Sequence, residues 1–160
     1  MRMDKSAHLS YLSTLAHQGF VVCSVEYRTS NEGCYPMQIE DVKAAIRYLK
    51  AHADRYRIDK EHFGAMGESA GGFLTCMAAL DHDKAHDVGE YLEESSSIQA
   101  ACPWYPPTNL STFKYKDAEE CAASMESLLL GYNTMRNIKE AYNSSPVSKV
   151  TKDAPPFLII

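Results

Sequence analysis

The chain has 160 residues, of which 45% are hydrophobic and 23% are charged, and its formal net charge is −5. This length fits one domain over 1–160, and a near-average composition argues against wholesale disorder. A mildly acidic chain has no electrostatic reason to bind polyphosphate backbones, so we expect no nucleic-acid partner. The longest apolar run, 73–80, is far shorter than the ~20 residues of a membrane-spanning helix, so we expect no membrane partner.

Cysteine usage indicates the compartment. The chain has five cysteines, an odd number, and none of them forms a C-x-x-C pair. That pattern argues against a disulfide framework and against a thiolate zinc site, and it favours a reducing compartment such as the cytoplasm. We expect neither a metal nor a cofactor. The cysteines are Cys23, Cys34, Cys76, Cys102 and Cys121.

The first part of the chain alternates helical and strand patterns. Ser6 is a candidate cap for an amphipathic helix that Gly19 ends. The run 20–25 is apolar and rich in β-branched residues, which is typical of a strand buried on both faces. After a loop at 29–34, Pro36 suits the first turn of a second helix, because its missing N–H would be unpaired there anyway.

The helix after Pro36 has one apolar stripe in its sequence. Residues at helical spacing predict the face that packs on the core, and the charged residues between them are predicted to face away. The apolar set is Ile39, Val42, Ala45, Ile46, Leu49 and Ala53. The charged set is Glu40, Lys43, Arg47 and Lys50.

The rest of the chain continues the alternation. A short apolar run at 63–66 leads into a glycine-rich turn, and a helical stretch follows to about residue 80. A charged and serine-rich segment precedes another predicted strand at 98–102. Further predicted elements are helices around 117–130 (ended by Gly131) and 134–143, and a buried strand at 157–160. This order predicts an α/β fold with a parallel sheet flanked by helices.

Residues 67–71 have the sequence Gly-Glu-Ser-Ala-Gly, which matches G-x-S-x-G. A predicted strand precedes them and a predicted helix follows, as a nucleophile elbow requires. The strained turn is expected to present the hydroxyl of Ser69 above the sheet, and a side chain at Gly67 or Gly71 is expected to collide with neighbouring backbone. We therefore predict Ser69 as the catalytic nucleophile and the N–H of Ala70 as an oxyanion donor.

Two alternatives compete with this site. The serine could be incidental to a glycine-rich turn, but the flanking strand and helix argue against that interpretation. His82 and His86 have the i, i+4 spacing of metal ligands, with aspartates beside them. Lys84 lies between them and no H-E-x-x-H is present, so a solvated charged loop is favoured over a metal site.

Taken together, several segments resemble the α/β-hydrolase superfamily, in the esterase/lipase branch related to hormone-sensitive lipase and bacterial acetylesterases. In the family's order they are Gly19-Phe20-Val21-Val22 with Tyr27-Arg28, the helix 35–49, Ile58-Asp59, the elbow 67–72, Ser145-Pro146-Val147 and the segment 154–160. Segment 104–110 departs from the family pattern by Pro106 for Gly and Asn109 for Asp. The resemblance implies a serine hydrolase that acts on a small-molecule ester through an acyl-enzyme.

The resemblance also implies parts that these residues do not include. The family's His-Gly-Gly oxyanion loop is expected before Met1, and its triad Asp and His are expected after Ile160. His82 and His86 follow Ser69, but a helix over 70–81 would place His82 about 18 Å away along its axis. We therefore expect a truncated α/β-hydrolase domain, incomplete at both ends and inactive alone. The alternatives are a non-catalytic binding module and a prolyl-oligopeptidase-type peptidase fragment, and Glu68 and Ala70 favour the esterase branch over the peptidase.

Overall fold

A computed structural model describes residues 9–160 of the protein. The helices are α1 (Leu9–His17), α2 (Met37–Ala51), α3 (Ala53–Tyr56), α4 (Ala70–Leu80), α5 (Ala118–Ala122), α6 (Met125–Leu130) and α7 (Ile138–Asn143). The strands are β1 (Gly64–Glu68) and β2 (Ala100–Trp104), and 3₁₀ turns lie at Lys84–His86 and Pro146–Lys149. The predicted α/β class is confirmed. No helix in the described part is long and apolar enough to cross a bilayer.

The sheet is parallel. β1 and β2 pair in register, with Gly64 opposite Ala100 and Glu68 opposite Trp104. Because parallel strands end at the same edge, the residues that follow Glu68 and Trp104 become neighbours. Helix α4 packs against both strands and against α2, and it carries the centre of the hydrophobic core.

The terminal segment 156–160 lies along the other side of β2. The N–H of Leu158 donates to the carbonyl of Ala101 at 2.9 Å, and the N–H of Ile160 donates to Pro103 at 3.2 Å. A parallel bridge joins Ala101 to Phe157. The predicted extended pairing is therefore present, but the predicted burial is wrong. Residues 158–160 are 59% to 64% exposed, because the described residues leave this edge uncovered.

The predicted strand at 20–25 is wrong. Within residues 9–160 this segment joins no β-ladder, and Phe20 is 64% exposed and Val21 52%. β-branched residues favour an extended chain, but a strand also needs a neighbour that satisfies its backbone groups. The described sheet does not offer one at this position.

The end of α1 follows the prediction. Gly19 has φ 93, in the left-handed region that glycine adopts without penalty. Its N–H donates to Ala16 at 3.1 Å and the N–H of Phe20 donates to Leu15 at 3.3 Å, the bond pattern of a Schellman C-cap. The predicted cap Ser6 lies outside the described residues.

The charged face of the second helix was predicted to be exposed, and this prediction is wrong. α2 begins at Met37, immediately after Pro36, and Ile39 and Ile46 are buried as predicted. The charged residues that were expected to face away are also buried, apart from half-buried Glu40. We call three of them, Lys43, Arg47 and Lys50, the cation row of α2; they are at most 4% exposed. Ala53 belongs to the separate helix α3.

The helix predicted around 117–130 is two helices. Ser124 separates them, and its hydroxyl accepts the N–H of Ser127 at 3.2 Å, which caps the start of α6. A side-chain cap of this kind competes with helix continuation, so the sequence pattern alone did not separate α5 from α6. Gly131 ends α6 with φ 77, as predicted. The helix predicted at 134–143 begins later, at Ile138.

Candidate active site

Ser69 lies alone between the end of β1 and the start of α4. Its φ of 52 and ψ of −113 are a conformation that non-glycine residues rarely adopt. The N–H of Ser69 donates to the carbonyl of Trp104 at 3.0 Å, and the carbonyl of Ser69 accepts from Phe73 at 2.9 Å. These bonds fix the residue between the sheet edge and the first helical turn, while the residue itself stays exposed.

The glycines around Ser69 differ in how much space a side chain would have at their positions. A Cβ at Gly67 would lie 2.6 Å from the carbonyl carbon and oxygen of Gly71, so the expected collision is present there. A Cβ at Gly71 would meet nothing within 4 Å, so the same expectation for Gly71 is wrong. The other close approach is at Gly72, whose added Cβ would lie 2.8 Å from the carbonyl oxygen of Trp104. The sequence predicts Gly72 as part of the elbow, but it predicts the collisions for Gly67 and Gly71 and not for Gly72.

The start of α4 gives the site its electrostatic character. Ala70 is the first residue of this 11-residue helix, and it is exposed together with Ser69. The first N–H groups of a helix have no partner within the helix, and the aligned peptide dipoles add positive potential there. A hydroxyl at this position can therefore develop negative charge, or bind an anionic intermediate, at lower free energy than elsewhere on the surface.

Tyr105 is a neighbour of Ser69 that the sequence analysis did not select. It follows β2, and its phenolic O–H donates a hydrogen bond to the carboxylate of Glu68. This bond raises the pKa of Tyr105 above its ordinary value. The ring is 60% exposed and the backbone has φ 37. The register of β2 against the elbow strand would have identified it, since Tyr105 directly follows the residue opposite Glu68.

The two histidines that follow Ser69 lie at the other end of α4. His82 is exposed, and His86 contacts the carboxylate of Asp81 through its Nδ1. The 11 residues of α4, each rising about 1.5 Å, separate Ser69 from this end by roughly 16 Å. A general base must lie within about 3 Å of the hydroxyl. Neither histidine is placed to act on Ser69.

The charged segment 81–87, predicted as a solvated loop, is exposed at 82–85, but Asp81 is buried and the chain continues to residue 97 over the cation row of α2. Arg47 is fully buried, and its guanidinium contacts Asp87 at 3.1 Å and the carbonyl of Glu90 at 3.2 Å. The ammonium of Lys43 donates to the carbonyl of Asp83 at 3.0 Å and lies 3.6 Å from Asp81. These contacts explain the buried cation row of α2, because the segment folds over that face and supplies oxygen atoms to it.

The carboxylate of Asp87 is part of this packing. Burial raises its pKa, but the hydrogen bond from Ser96 and the charges of Lys43 and Lys84 outweigh burial, so that the pKa of Asp87 lies below its ordinary value. Within the described residues no group of histidine, cysteine and acidic side chains could hold a metal ion. Of the side chains of the alternative metal site, Asp81, His86 and Asp87 contact one another or the cation row of α2, whereas His82 is exposed.

All five cysteines are free thiols in the structure. Cys76 is buried inside α4, and burial raises its pKa to about 11, which keeps the thiol protonated and unreactive. Cys121 is also fully buried, and its sulfur lies 3.3 Å from the hydroxyl of Thr134. Apolar neighbours in the sequence predict that Cys23, Cys76 and Cys102 act as small core residues. Cys76 is buried as predicted, Cys102 is half-buried, and the prediction for Cys23 is wrong because that residue is exposed.

The sequence profile of the BD-FAE family matches residues 1–160. The chain belongs to the BD-FAE family. A relative, the probable carboxylic ester hydrolase LipM of Mycobacterium tuberculosis, is 29% identical over 93% of this chain. The chain spans only 35% of that relative's length. The relatives include esterases, which agrees with the predicted resemblance to the esterase/lipase branch of the α/β hydrolases.

Two solved structures are similar to this BD-FAE chain. A bifunctional GH43-CE protein of Bacteroides eggerthii superposes with a TM-score of 0.89 and 30% identity, covering 98% of this chain and 22% of that one. A truncated carbohydrate esterase from gut microbiota superposes with a TM-score of 0.73 and 32% identity, covering 85% of this chain and 52% of that one. The α/β architecture around the elbow is therefore that of solved esterase structures.

Proposed function

We propose that this protein is a serine carboxylic-ester hydrolase in which Ser69 is the nucleophile, Ala70 supplies an oxyanion N–H, and Gly67 and Gly71 flank the elbow. The observation that carries the proposal is the placement of Ser69. It is exposed, has φ 52, and sits between a parallel strand and the N-terminus of α4. Membership of the BD-FAE family supports the same function.

The proposed reaction follows acyl transfer. The Ser69 oxygen attacks the ester carbonyl carbon while its proton passes to a general base, and the resulting oxyanion accepts the N–H of Ala70. Collapse of the intermediate breaks the bond to the alcohol, which leaves with the proton, and water then releases the acid from the acyl-enzyme. His82 and His86 lie at the far end of α4, so we propose that the base and its acidic partner come from outside residues 1–160.

The proposed substrate is a small-molecule ester carried by a carbohydrate. The support is the similarity to a structure named as a carbohydrate esterase, at 32% identity over 85% of this chain. The bifunctional GH43-CE protein, which superposes over 98% of the chain, agrees with this class. We further propose a reducing compartment such as the cytoplasm, supported by five free thiols.

A serine-directed fluorophosphonate probe tests the nucleophile. In the full-length protein we expect stoichiometric labelling of Ser69, identified by mass spectrometry, and hydrolysis of p-nitrophenyl acetate. Ser69→Ala should abolish both, whereas the matched control Ser95→Ala, on an exposed loop, should keep both. An unlabelled full-length protein without turnover would instead identify a non-catalytic binding module.

The isolated 160-residue chain gives a second test. His82 and His86 lie at the far end of α4, so we expect no steady turnover of p-nitrophenyl acetate, because without a general base only the oxyanion donor and binding would remain. Turnover by this chain that Ser69→Ala abolishes would overturn its proposed inactivity and leave the proposed chemistry intact.

A further inference from the structure

We propose that Tyr105 and Glu68 form a sugar subsite beside Ser69. The ring of Tyr105 stacks on a C–H face of the carbohydrate that carries the ester, and the carboxylate of Glu68 accepts hydrogen bonds from its hydroxyl groups. The inference rests on the proposed function, and it adds the two side chains that recognise the alcohol part of the substrate.

The sheet register places both residues at the nucleophile. Glu68 lies opposite Trp104 in the parallel pair, and the N–H of Ser69 donates to the carbonyl of Trp104 at 3.0 Å. Tyr105 is bonded covalently to that same carbonyl group. Its ring and the Ser69 hydroxyl therefore share the carboxyl edge of the sheet, where open α/β sheets bind their ligands.

The backbone holds Tyr105 in a defined position. Its φ of 37 is unfavourable for a residue with a Cβ, and such residues concentrate at functional sites. The N–H of Tyr105 donates to the carbonyl of Ile160 at 2.6 Å, and the phenol donates to Glu68. The ring is thus fixed at both ends yet 60% exposed, so a ligand that stacks on it loses little side-chain entropy.

The chemistry of the pair matches a carbohydrate. A sugar ring combines apolar C–H faces with hydroxyl donors, and an aromatic ring beside a carboxylate is complementary to both.

A second exposed aromatic cluster is a poorer candidate. Tyr48 stacks on His52 with ring centroids 4.2 Å apart, and Tyr91 meets both rings edge-on. These rings cover one another, whereas no ring pair within the described residues includes Tyr105. The aromatic face available beside Ser69 is that of Tyr105.

The test compares two esters in the full-length protein. The measured quantity is the ratio of kcat/KM for acetylated methyl xyloside to kcat/KM for ethyl acetate, which has no ring to stack. Tyr105→Ala should lower this ratio about tenfold. Tyr105→Phe, which keeps the ring and loses the bond to Glu68, should stay within about threefold of the wild type. Tyr142→Ala, an exposed tyrosine on α7, is the matched control and should leave the ratio unchanged.

A binding measurement separates this inference from the proposed function. Trp104 is the single tryptophan of the chain, and its fluorescence should report titration of the Ser69→Ala variant with acetylated methyl xyloside. Adding Tyr105→Ala should weaken that binding about tenfold, and Glu68→Gln about threefold. Tyr105→Leu, which keeps apolar bulk without a ring, serves if thermal unfolding finds the alanine variant unfolded.

The outcomes are distinct. An unchanged ester ratio in Tyr105→Ala, or sugar binding that is absent or insensitive to Tyr105, overturns the subsite. Equal losses in Tyr105→Phe and Tyr105→Ala also overturn it, because they assign the effect to the bond with Glu68 rather than to the ring. Failure of Ser69 to label, with binding still dependent on Tyr105, overturns the proposed esterase function and leaves the sugar subsite.

Discussion

The two ends of α4 both carry residues that the sequence marks as candidate sites, and they are built in opposite ways. At the N-terminal end Ser69 is exposed, adopts φ 52, and contacts its surroundings through backbone bonds. At the C-terminal end Asp81 is 3% exposed, and its carboxylate contacts His86 and Lys43. One end leaves a hydroxyl group accessible, and the other encloses its charges.

If Ser69 is the nucleophile, as proposed, this difference separates chemistry from packing in the same helix. Ionisable residues cluster at the C-terminal end, but Asp81, His86 and Asp87 each contact a partner from α2 or from segment 81–97. The N-terminal end has fewer ionisable residues beside it, the pair Glu68 and Tyr105, and its distinguishing feature is the backbone conformation at the Ser69 hydroxyl. Charge density alone would have selected the end of α4 opposite the proposed nucleophile.

The largest expected loss of stability is at the C-terminal end of α4, where the charges are buried. Arg47→Ala removes a fully buried guanidinium and leaves the carboxylate of Asp87 and the carbonyl of Glu90 without it. Breaking a buried pair from one side costs about 3–5 kcal/mol. The corresponding fall in thermal midpoint is about 10 °C for a chain of this size. Arg55→Ala, on the exposed surface of α3, is the control and should change stability by less than about 0.5 kcal/mol. A loss below 1 kcal/mol in Arg47→Ala, measured by urea unfolding, would contradict this account of the segment (about 1 kcal/mol being typical of any substitution).

The next largest expected loss of stability is at the turn that contains Ser69, where two adjacent glycines can be compared. A Cβ at Gly72 would lie 2.8 Å from the carbonyl oxygen of Trp104, so Gly72→Ala must displace β2 or α4 and should cost about 2–3 kcal/mol. Gly71→Ala meets open space in the first turn of a helix and should be neutral or stabilising by up to about 1 kcal/mol. The free energies of unfolding of the two variants test this. Equal values would mean that the close contact of Gly72 does not constrain the elbow.

The elbow illustrates what the sequence could predict. A glycine-rich turn between strand and helix patterns is a local feature. It predicted the position of Ser69 between a strand and a helix, the helix α4 and the collision at Gly67. The parallel arrangement of β1 and β2 was also predictable, because the order of elements limits the topology. Tyr105 was missed because its place beside Ser69 depends on the pairing of two strands about 35 residues apart, which is not a local pattern.

The two wrong predictions, for the exposure of the cation row and for the strand at 20–25, also arise from contacts between distant parts of the chain. The cation row of α2 was predicted to face solvent because helical periodicity distinguishes two faces and assigns charge to the outer one. It cannot report that a distant segment, 81–97, supplies carbonyl and carboxylate oxygens to that face. The strand predicted at 20–25 failed for want of a pairing partner in the described sheet, which propensity does not supply.

The pH dependence of the free energy of unfolding tests the buried charges at the C-terminal end of α4 without removal of a cation. Because the folded-state pKa of Asp87 is depressed, its contribution is present above the unfolded pKa of about 3.9 and is lost as the pH falls through the folded value. Asp87→Asn should therefore cost about 1–2 kcal/mol near neutral pH and progressively less below about pH 4. Asp153→Asn, whose side chain is 77% exposed, is the control and should not change the acid profile. A cost for Asp87→Asn that does not vary with pH, followed by urea unfolding, would assign its role to shape rather than charge.

The smallest expected effect has the opposite sign and lies at Ser69 itself. A non-glycine residue at φ 52 and ψ −113 carries strain of about 1–3 kcal/mol, which Ser69→Gly relieves. The greater freedom of glycine in the unfolded chain offsets part of that gain, by about 0.5–1 kcal/mol. We therefore expect Ser69→Gly to raise the free energy of unfolding by about 1 kcal/mol while it eliminates phosphonate labelling. Ser95→Gly, on an exposed loop, should be neutral or slightly destabilising. A destabilised Ser69→Gly variant would mean that the hydroxyl holds the turn together. A stabilised one would mean that the exposed end of α4 keeps its serine against the preference of the fold, as a functional position does.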